Sequence, residues 1–288
     1  MSGRVCVVTG ATSGIGFVTA RELARAGASV VAVGHDPGRT SDAVAKINAA
    51  SGNAPVRGIV ADLFLQTEVR RLASEIQAIY PRVHVLVNNA GALFSRRVVT
   101  AEGIERTWAL NVVTPFLLTH LLLPPLQESA PARVVNVASA AHRGVRLNFE
   151  NLQGEAHYAA YGAYSRSKLA VLLLTYEFAR RLNGTRVTAN ALHPGFVSTG
   201  FGKNNPGAFG ATVGFFSFLF GIRPDRGART SIFLASDPSV ENVTGKYFAR
   251  RHEVASSPAS YDAAAGARLW DVLALQTGIP TDVLSKTV

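Results

Sequence analysis

A glycine-rich turn near the start of the chain constrains the fold more than any other feature. Residues 5–8 are rich in β-branched side chains, and the turn that follows, residues 9–16, carries Gly10, Gly14 and Gly16. A helical pattern over 17–26 ends at Gly27, and a second apolar strand covers 29–34. This order predicts a right-handed βαβ unit, whose turn lets a pyrophosphate approach the backbone and the helix N-terminus.

The same alternation of strands and helices continues along the chain. It predicts further strands at 56–60, 83–87, 133–138 and 186–192, and helices at 42–50, 67–80, 101–110, 112–123 and 160–182. Alternation of this kind is typical of an α/β fold in which helices flank both faces of a doubly wound parallel sheet. No linker or internal repeat is visible, so we expect a single domain over 1–288.

Charge and cysteine content narrow the range of partners. The formal net charge is +10, but the basic residues are scattered singly or in pairs, whereas nucleic-acid binders cluster them. We therefore expect no nucleic-acid partner, while attraction to an anionic cofactor or membrane surface stays open. The single cysteine, Cys6, favours a reducing compartment, and no signal segment precedes residue 5, which predicts a cytoplasmic protein. The apolar window 213–222 is too short to cross a bilayer.

Tyr164 and Lys168 lie four residues apart in the predicted helix 160–182, so they share one face. A free phenol is a poor acid or base at neutral pH, and a nearby ammonium favours its ionised form. The pair therefore suits proton transfer, although Tyr-x-x-x-Lys also arises often by chance on helices. The same helix carries two apolar stripes. One can cover the sheet, and the other predicts either a homodimer or a covering helix from the same chain.

Polar residues follow several predicted strands, and open α/β sheets bind ligands at the carboxyl ends of their strands. The sequence reads Thr-Gly-x-x-x-Gly-x-Gly at 9–16, Asn-Asn-Ala-Gly at 88–91, and Tyr-x-x-x-Lys at 164–168, with Pro194-Gly195 after the last strand. Together with Asn111 and Ser139, this order and spacing resemble the short-chain dehydrogenase/reductase family over nearly the whole chain. The resemblance implies a Rossmann-like fold, with 1–110 mainly binding the cofactor and 111–288 forming the catalytic and substrate half.

The resemblance also implies a role for each residue of the set. Tyr164 would exchange a proton with the substrate oxygen, which Ser139 would hold by hydrogen bonding. Lys168 would bind the nicotinamide ribose and lower the pKa of Tyr164, and Asn111 would hold a water that links Lys168 to solvent. The insert 141–154 between Ser139 and Tyr164 resembles the retinol dehydrogenase-like branch, whose vertebrate members often carry a membrane anchor; we expect none in this chain. Tyr161 has no lysine four residues on and would pack or wall the substrate site.

The cofactor expected from this resemblance is NADP, with NAD as the alternative, and no metal. Gly34 stands where NAD enzymes usually carry an acid, His35 and Arg39 offer positive charge, and Asp36 confuses the assignment. The expected cofactor contacts are Gly10, Thr12, Ser13, Gly14, Ile15, Gly16, His35, Arg39, Asp62, Leu63, Asn89, Ala90, Gly91, Tyr164, Lys168, Pro194, Gly195, Val197 and Thr199.

These features predict an oxidoreductase, such as a ketoreductase, that acts on a small hydrophobic alcohol, ketone or aldehyde. Two alternatives stay open: a nucleotide-sensing regulator without chemistry, and a protein that binds membrane surfaces through its Phe-rich segment 209–220. The surrounding segment, 196–222, is expected to be either a mobile lid over an apolar pocket or a core helix.

Overall fold

The computed structural model describes residues 1–52, 54–195 and 223–280, which form one α/β domain around an eight-stranded sheet. In chain order the strands are Val5–Thr9 (β1), Ser29–Gly34 (β2), Val56–Val60 (β3), Val85–Asn88 (β4), Ala132–Val137 (β5), Val187–His193 (β6), Tyr247–Ala249 (β7) and His252–Glu253 (β8). They lie in the order β3-β2-β1-β4-β5-β6-β7-β8. All neighbours are parallel except β7 and β8, which form an antiparallel pair at one edge. The predicted doubly wound parallel sheet is confirmed, with β8 added at its edge.

Helices connect the strands and cover both faces of the sheet. They are Gly14–Arg25 (α1), Pro37–Ser51 (α2), Gln66–Ile79 (α3), Arg106–Trp108 (α4), Thr114–Leu121 (α5), Leu123–Gln127 (α6), Ala160–Arg181 (α7), Pro224–Ser236 (α8) and Ala263–Thr277 (α9). A π-helical turn, Ala109–Val113, joins α4 to α5. Within the three described ranges, no helix is both long enough and apolar enough to cross a membrane.

Alternate residues of the central strands build two separate cores. Val7 and Val31 point into the layer that contains α3, α5, α7 and α9, whereas Cys6 and Val8 point into the layer that contains α1 and α8. All four side chains are fully buried. A strand that is buried on both faces reads as a continuous apolar run, which explains the composition of β1.

The helix predicted from residue 101 is wrong over its first five residues. The chain there makes a tight turn in which the Thr100 amide bonds the Ile104 carbonyl and Gly103 adopts φ +79°, a conformation that breaks a helix. The buried Glu105 then caps α4 by accepting from the amides of Thr107 and Trp108, both at 2.8 Å. The side-chain cap fixes the start of the helix five residues later than the apolar pattern suggested.

The second apolar stripe of α7 is covered by the same chain. Leu174 and Phe178 of this stripe are at most 3% exposed, and the Phe178 ring lies 4.8 Å from that of Trp270 in α9. A helix of the same chain therefore covers this part of α7, and the homodimer predicted through the helix that carries Tyr164 stays a prediction.

Candidate active site

The glycine-rich turn after β1 forms a cradle that side chains would fill. Gly10 and Gly14 have φ of +65° and +57°, where glycine carries no steric cost. A Cβ on Gly16 would lie 2.2 Å from the Gly10 carbonyl oxygen. Ser13 stands at the N-cap of α1, but its hydroxyl accepts no hydrogen bond from the helix. The amides of the first turn of α1 point toward the cradle. Such amides and the helix dipole bind phosphate groups.

The segment after β4 holds the cradle in place. Thr9 Oγ1 accepts hydrogen bonds from the amides of Asn89 and Ala90, both at 3.0 Å. The Asn89 side chain returns the contact by donating to the Thr9 carbonyl at 2.8 Å. The end of β4 and the turn after β1 are therefore one hydrogen-bonded unit, and any ligand in the cradle also meets residues 89–91.

Ser139 and Tyr164 meet at the carboxyl ends of the central strands. Ser139 follows β5, and Tyr164 lies in the second turn of α7; their hydroxyls share a hydrogen bond. The Ser139 hydroxyl also accepts from the Ala141 amide at 3.2 Å, which fixes its rotamer. Two hydroxyl groups thus converge on one point, where a substrate oxygen could accept hydrogen bonds from both.

Lys168 and Asn111 converge behind this pair at Gly91. A Cβ on Gly91 would lie 3.2 Å from Asn111 Oδ1 and 3.4 Å from Lys168 Nζ. Asn111 lies in the π-helical turn, a geometry frequent at functional sites, and its amide bonds both polar groups of the Ala92 backbone and the Ser167 hydroxyl. Lys168 Nζ donates to the Val137 carbonyl at 2.9 Å. The sequence-predicted quartet is therefore brought together, while the water assigned to Asn111 stays a prediction.

The expected lowering of the Tyr164 pKa is wrong for the ligand-free chain. Burial raises the pKa of Tyr164 to about 12, against the opposing effect of the hydrogen bond from Ser139. Burial also lowers the pKa of Lys168 to about 8. Lys168 Nζ lies 5.7 Å from the centre of the Tyr164 ring and bonds a backbone carbonyl instead of the phenol oxygen. Desolvation of both groups therefore outweighs the attraction that the spacing suggested.

A cleft of about 250 Å³ lies between the cradle and α2. It is lined by Thr12, Ser13, Phe17, Arg39, Asp42, Ala43 and Lys46. Arg39 is among these residues, whereas His35, also predicted, is exposed outside the lining. Lys46 was not predicted from the sequence. Its spacing could have indicated it, because residues 39, 42, 43 and 46 share one face of α2.

The end of β2 carries neither a free carboxylate nor room for one. The Asp36 side chain accepts from the Arg39 amide at 2.7 Å through Oδ1 as the N-cap of α2. A Cβ on Gly34 would lie 2.2 Å from Thr40 Oγ1 and 2.4 Å from Thr12 Cγ2. An acidic side chain therefore cannot enter at position 34 without displacing its neighbours.

Of the remaining predicted cofactor contacts, some lie within the described residues and others lie outside them. Asp62 and Leu63 follow β3, where Asp62 accepts from the Phe64 amide and the Leu63 carbonyl accepts from Thr114. Pro194 and Gly195 follow β6, and Gly195 has φ +91°. Val197, Thr199 and the segment 196–222 lie outside the described residues. Tyr161 is 66% exposed, so its predicted role in packing is wrong, and a role in walling the substrate site stays a prediction.

The insert predicted at 141–154 is anchored to the chain before α4. Gln153 accepts from the Glu105 amide at 2.8 Å through its side chain and from Arg97 at 3.1 Å through its carbonyl. Tyr158 donates to the Phe94 carbonyl at 3.0 Å. These contacts fix the approach to Ser139 and Tyr164 from one side. In the described part of the chain, no cluster of three His, Cys, Asp or Glu side chains suits a metal ion.

Comparison with known proteins agrees with this geometry. The family model for short chain dehydrogenase matches residues 4–207. Mouse "Retinol dehydrogenase 14" is 39% identical over 291 residues, covering 97% of this chain and 87% of the relative. A crystal structure of a putative uncharacterized protein from Mycobacterium paratuberculosis has a TM-score of 0.77 at 32% identity and covers 96% of this chain and 94% of its own. A Pseudomonas aeruginosa RhlG/NADP active-site complex has a TM-score of 0.68 at 29% identity and covers 86% of this chain and 94% of its own.

Proposed function

The chain belongs to the short-chain dehydrogenase family, in its retinol dehydrogenase-like branch, and we propose that it uses NADP(H) to interconvert a hydrophobic alcohol with its ketone or aldehyde. Oxidoreductase action on CH–OH groups with a nicotinamide cofactor follows from family membership. The proposal adds the cofactor preference, the class of substrate and the residues that carry the chemistry. The observation that carries it is the hydrogen bond between the Ser139 and Tyr164 hydroxyls, with Lys168 and Asn111 behind them.

The glycine cradle and the residues after β4 fit the cofactor. The close approach of Gly16 to Gly10 leaves no room for a side chain at that point, so the backbone there is open to a pyrophosphate, which backbone amides bind. Residues 89–91 lie between this cradle and Lys168, which suits a ribose that spans the two. When bound, the nicotinamide supplies or accepts the hydride.

Tyr164 and Ser139 handle the proton that accompanies the hydride. Ser139 donates a hydrogen bond to the substrate oxygen and holds it beside Tyr164. In reduction, Tyr164 gives its proton to this oxygen as negative charge develops there, and in oxidation it takes the proton back. Burial raises the pKa of Tyr164 to about 12, so the phenol is protonated at neutral pH and can serve as the proton donor in reduction.

The cleft beside the cradle supports NADP over NAD. Arg39 and Lys46 place two cationic side chains in its lining, next to Ser13. One oxygen of the Asp36 carboxylate caps α2, and position 34 holds a glycine whose Cβ would displace Thr40 and Thr12. A 2′-phosphate would meet positive charge there, whereas the acid that usually binds a ribose 2′-hydroxyl is missing.

The substrate class rests on the relatives. Mouse "Retinol dehydrogenase 14" is named for a long apolar primary alcohol. A lipophilic aldehyde or ketone of this kind is the substrate that we expect. The cytoplasmic location stays a prediction, as does a membrane-surface role for the Phe-rich segment.

Replacement of Tyr164 with Phe tests the proposed chemistry. The ring is kept and the proton donor is lost, so we expect turnover of lipophilic carbonyls with NADPH to fall by about 10²–10⁴, the usual worth of general acid catalysis. NADPH binding, measured by fluorescence titration, should stay within threefold of the parent protein. Tyr80→Phe, at the end of α3 and remote from the site, is the matched control. A loss of less than tenfold in Tyr164→Phe would contradict the assignment.

Removal of the two cationic side chains tests the cofactor preference. We expect Arg39→Ala and Lys46→Ala each to lower kcat/KM for NADPH at least fivefold and to leave that for NADH within twofold, because only NADP carries the 2′-phosphate. Arg25→Ala removes an exposed charge at the far end of α1 and should change neither value. A parent protein that binds NADH more tightly than NADPH would refute the preference.

A non-catalytic nucleotide sensor is the alternative from a different class. A sensor needs the cradle but not a proton relay, so Tyr164→Phe would leave its ligand-dependent behaviour unchanged and no carbonyl would be turned over. The convergence of Ser139, Tyr164 and Lys168 favours the enzyme.

A further inference from the structure

The peptide unit that joins Ser139 to Ala140 has no strand partner, although it carries the predicted catalytic serine. The ladder between β5 and β6 ends one residue earlier, where the Ala138 amide donates to the Leu192 carbonyl at 2.8 Å. Beyond that point the chain turns away into a 3₁₀ turn, Ala140–His142. Backbone groups at such a strand end need other partners if they are to stay fixed.

Two histidine rings supply side-chain partners, in addition to the His142 amide, which donates to the Ser139 carbonyl at 3.3 Å. His142 Nδ1 donates to the Ser139 carbonyl at 2.5 Å, and the Ala140 amide donates to His193 Nδ1 at 3.2 Å. The carbonyl and the amide belong to the same planar peptide unit, so the rings hold it from both sides. Orientation of this unit also aims the following turn, whose Ala141 amide bonds the Ser139 hydroxyl.

The hydrogen bonds determine the state of both rings. The Ser139 carbonyl only accepts, so His142 carries its proton on Nδ1, and its Nε2 accepts from the Ser257 amide at 3.0 Å. The Ala140 amide only donates, so His193 Nδ1 is unprotonated. Burial lowers the pKa of both histidines, and Arg143 and Arg250 lower that of His193 further. Both rings are therefore neutral at neutral pH, as the contacts require.

Packing fixes the His142 ring as firmly as its hydrogen bonds do. The side chain is fully buried, and its ring meets that of Tyr247 in β7 edge to face at 5.2 Å between centres. Ser257 belongs to a buried hydroxyl cluster in which Ser256 bonds Tyr176 of α7 at 2.7 Å. His142 thus connects the serine, strand β7 and the helix that carries Tyr164.

We propose that His142 and His193 are positioning residues that clamp the Ser139–Ala140 peptide and so aim the Ser139 hydroxyl at Tyr164 and the substrate oxygen. The effect on turnover rests on the proposed function, whereas the clamp itself does not. Neither ring is proposed to contact the substrate. Loss of the clamp lowers kcat because Ser139 no longer holds the oxygen in the reactive position, while cofactor binding is unaffected.

Paired substitutions separate the clamp from general stability. His142→Phe keeps an aromatic ring but removes both hydrogen bonds, and His193→Leu removes the acceptor. Asn places an amide at the position of Nδ1, where it can donate or accept, so His142→Asn and His193→Asn retain the clamp. We expect kcat for carbonyl reduction to fall at least tenfold in His142→Phe and His193→Leu and to stay within threefold in the Asn variants. KM for NADPH should stay within threefold in all four.

His84 provides the matched control. Its Nδ1 accepts from the Val5 amide at 3.0 Å, the same type of contact, but at the amino end of the sheet. His84→Leu should lose stability without losing kcat. If His142→Phe and His193→Leu keep kcat within twofold, or if the Asn variants lose as much as these two, the clamp is refuted. Should His142→Phe fail to fold, His193→Leu against His193→Asn gives the same comparison.

Amide hydrogen exchange tests the clamp without an activity assay. The Ala140 and Ala141 amides should exchange at least tenfold faster in His193→Leu than in the parent protein, and at the parent rate in His84→Leu. Unchanged exchange would overturn the clamp. A parent protein that reduces no carbonyl while its exchange responds as expected would instead overturn the proposed function alone.

Discussion

Replacement of Lys168 with Met is expected to make the ligand-free protein more stable while it destroys activity. Burial lowers the Lys168 pKa from 10.5 to about 8, which corresponds to about 3 kcal/mol at about 1.4 kcal/mol per pKa unit. Met fills the same space without this cost. It leaves the Val137 carbonyl without its donor, at about 1–3 kcal/mol. The variant should therefore be up to roughly 2 kcal/mol more stable at pH 7.

The pH dependence of the difference is the sharper measurement. Because the folded pKa lies below the unfolded one, the folded protein binds fewer protons between about pH 8 and 10.5, and the parent gains stability as pH rises through this window. The Met variant lacks this titration. The free energy of unfolding of the parent, relative to that of the variant, should therefore rise by about 3 kcal/mol between pH 7.5 and 10.5. Urea unfolding of both proteins at several pH values gives the result.

Lys246→Met serves as the control for this experiment. Lys246 is exposed, and its ion pair with Glu253 raises its pKa. Its contribution to the free energy of unfolding is therefore present at lower pH and is lost as pH rises. The control should therefore trend in the opposite direction. A constant stability difference between the parent and Lys168→Met across the window would refute the reasoning, as would a Met variant more than 2 kcal/mol less stable at pH 7.

Two further predictions concern stability. Gly34→Asp, the obvious change for binding NAD, should cost about 1–3 kcal/mol in urea unfolding, because its Cβ overlaps Thr40 and Thr12; parent-like stability with a clean change to NAD would contradict this. His120 is buried among aromatic rings, which lowers its pKa from 6.5 to about 4, with Arg181 contributing. The folded state binds fewer protons in that range, so the parent should lose about 3 kcal/mol as pH falls from 6.5 to 4, and His120→Leu should lose less; equal acid sensitivity would refute the assignment.

The parts of the fold that depend on local patterns could be predicted from the sequence. Apolar strands, glycine turns and capped helices are encoded within a few residues, and strands in a parallel sheet bring their carboxyl ends together. For this reason Ser139, Tyr164 and Lys168 could be placed at one site before any coordinates were considered. The start of α4 was missed because a side-chain cap, Glu105, overrides the apolar period there.

The parts that depend on distant contacts could not be predicted. The cover of α7 comes from α9, and nothing in the apolar stripe distinguishes a helix of the same chain from a partner subunit. The pKa of Tyr164 depends on how deeply α7 is buried, which the Tyr-x-x-x-Lys spacing does not encode. The contact of His142 with Ser257 joins segments 115 residues apart, so only the folded chain reveals it.

The cover of α7 by α9 also has a consequence for synthesis on the ribosome. The stripe that contains Leu174 and Phe178 is made well before Thr277, the last residue of the helix that buries it. At about 5–20 residues per second, the nascent chain carries this stripe uncovered for roughly 5–20 s. During that time the helix that bears Tyr164 is a target for chaperones, and a chain truncated before α9 should be recognised as unfinished by the same exposed leucines.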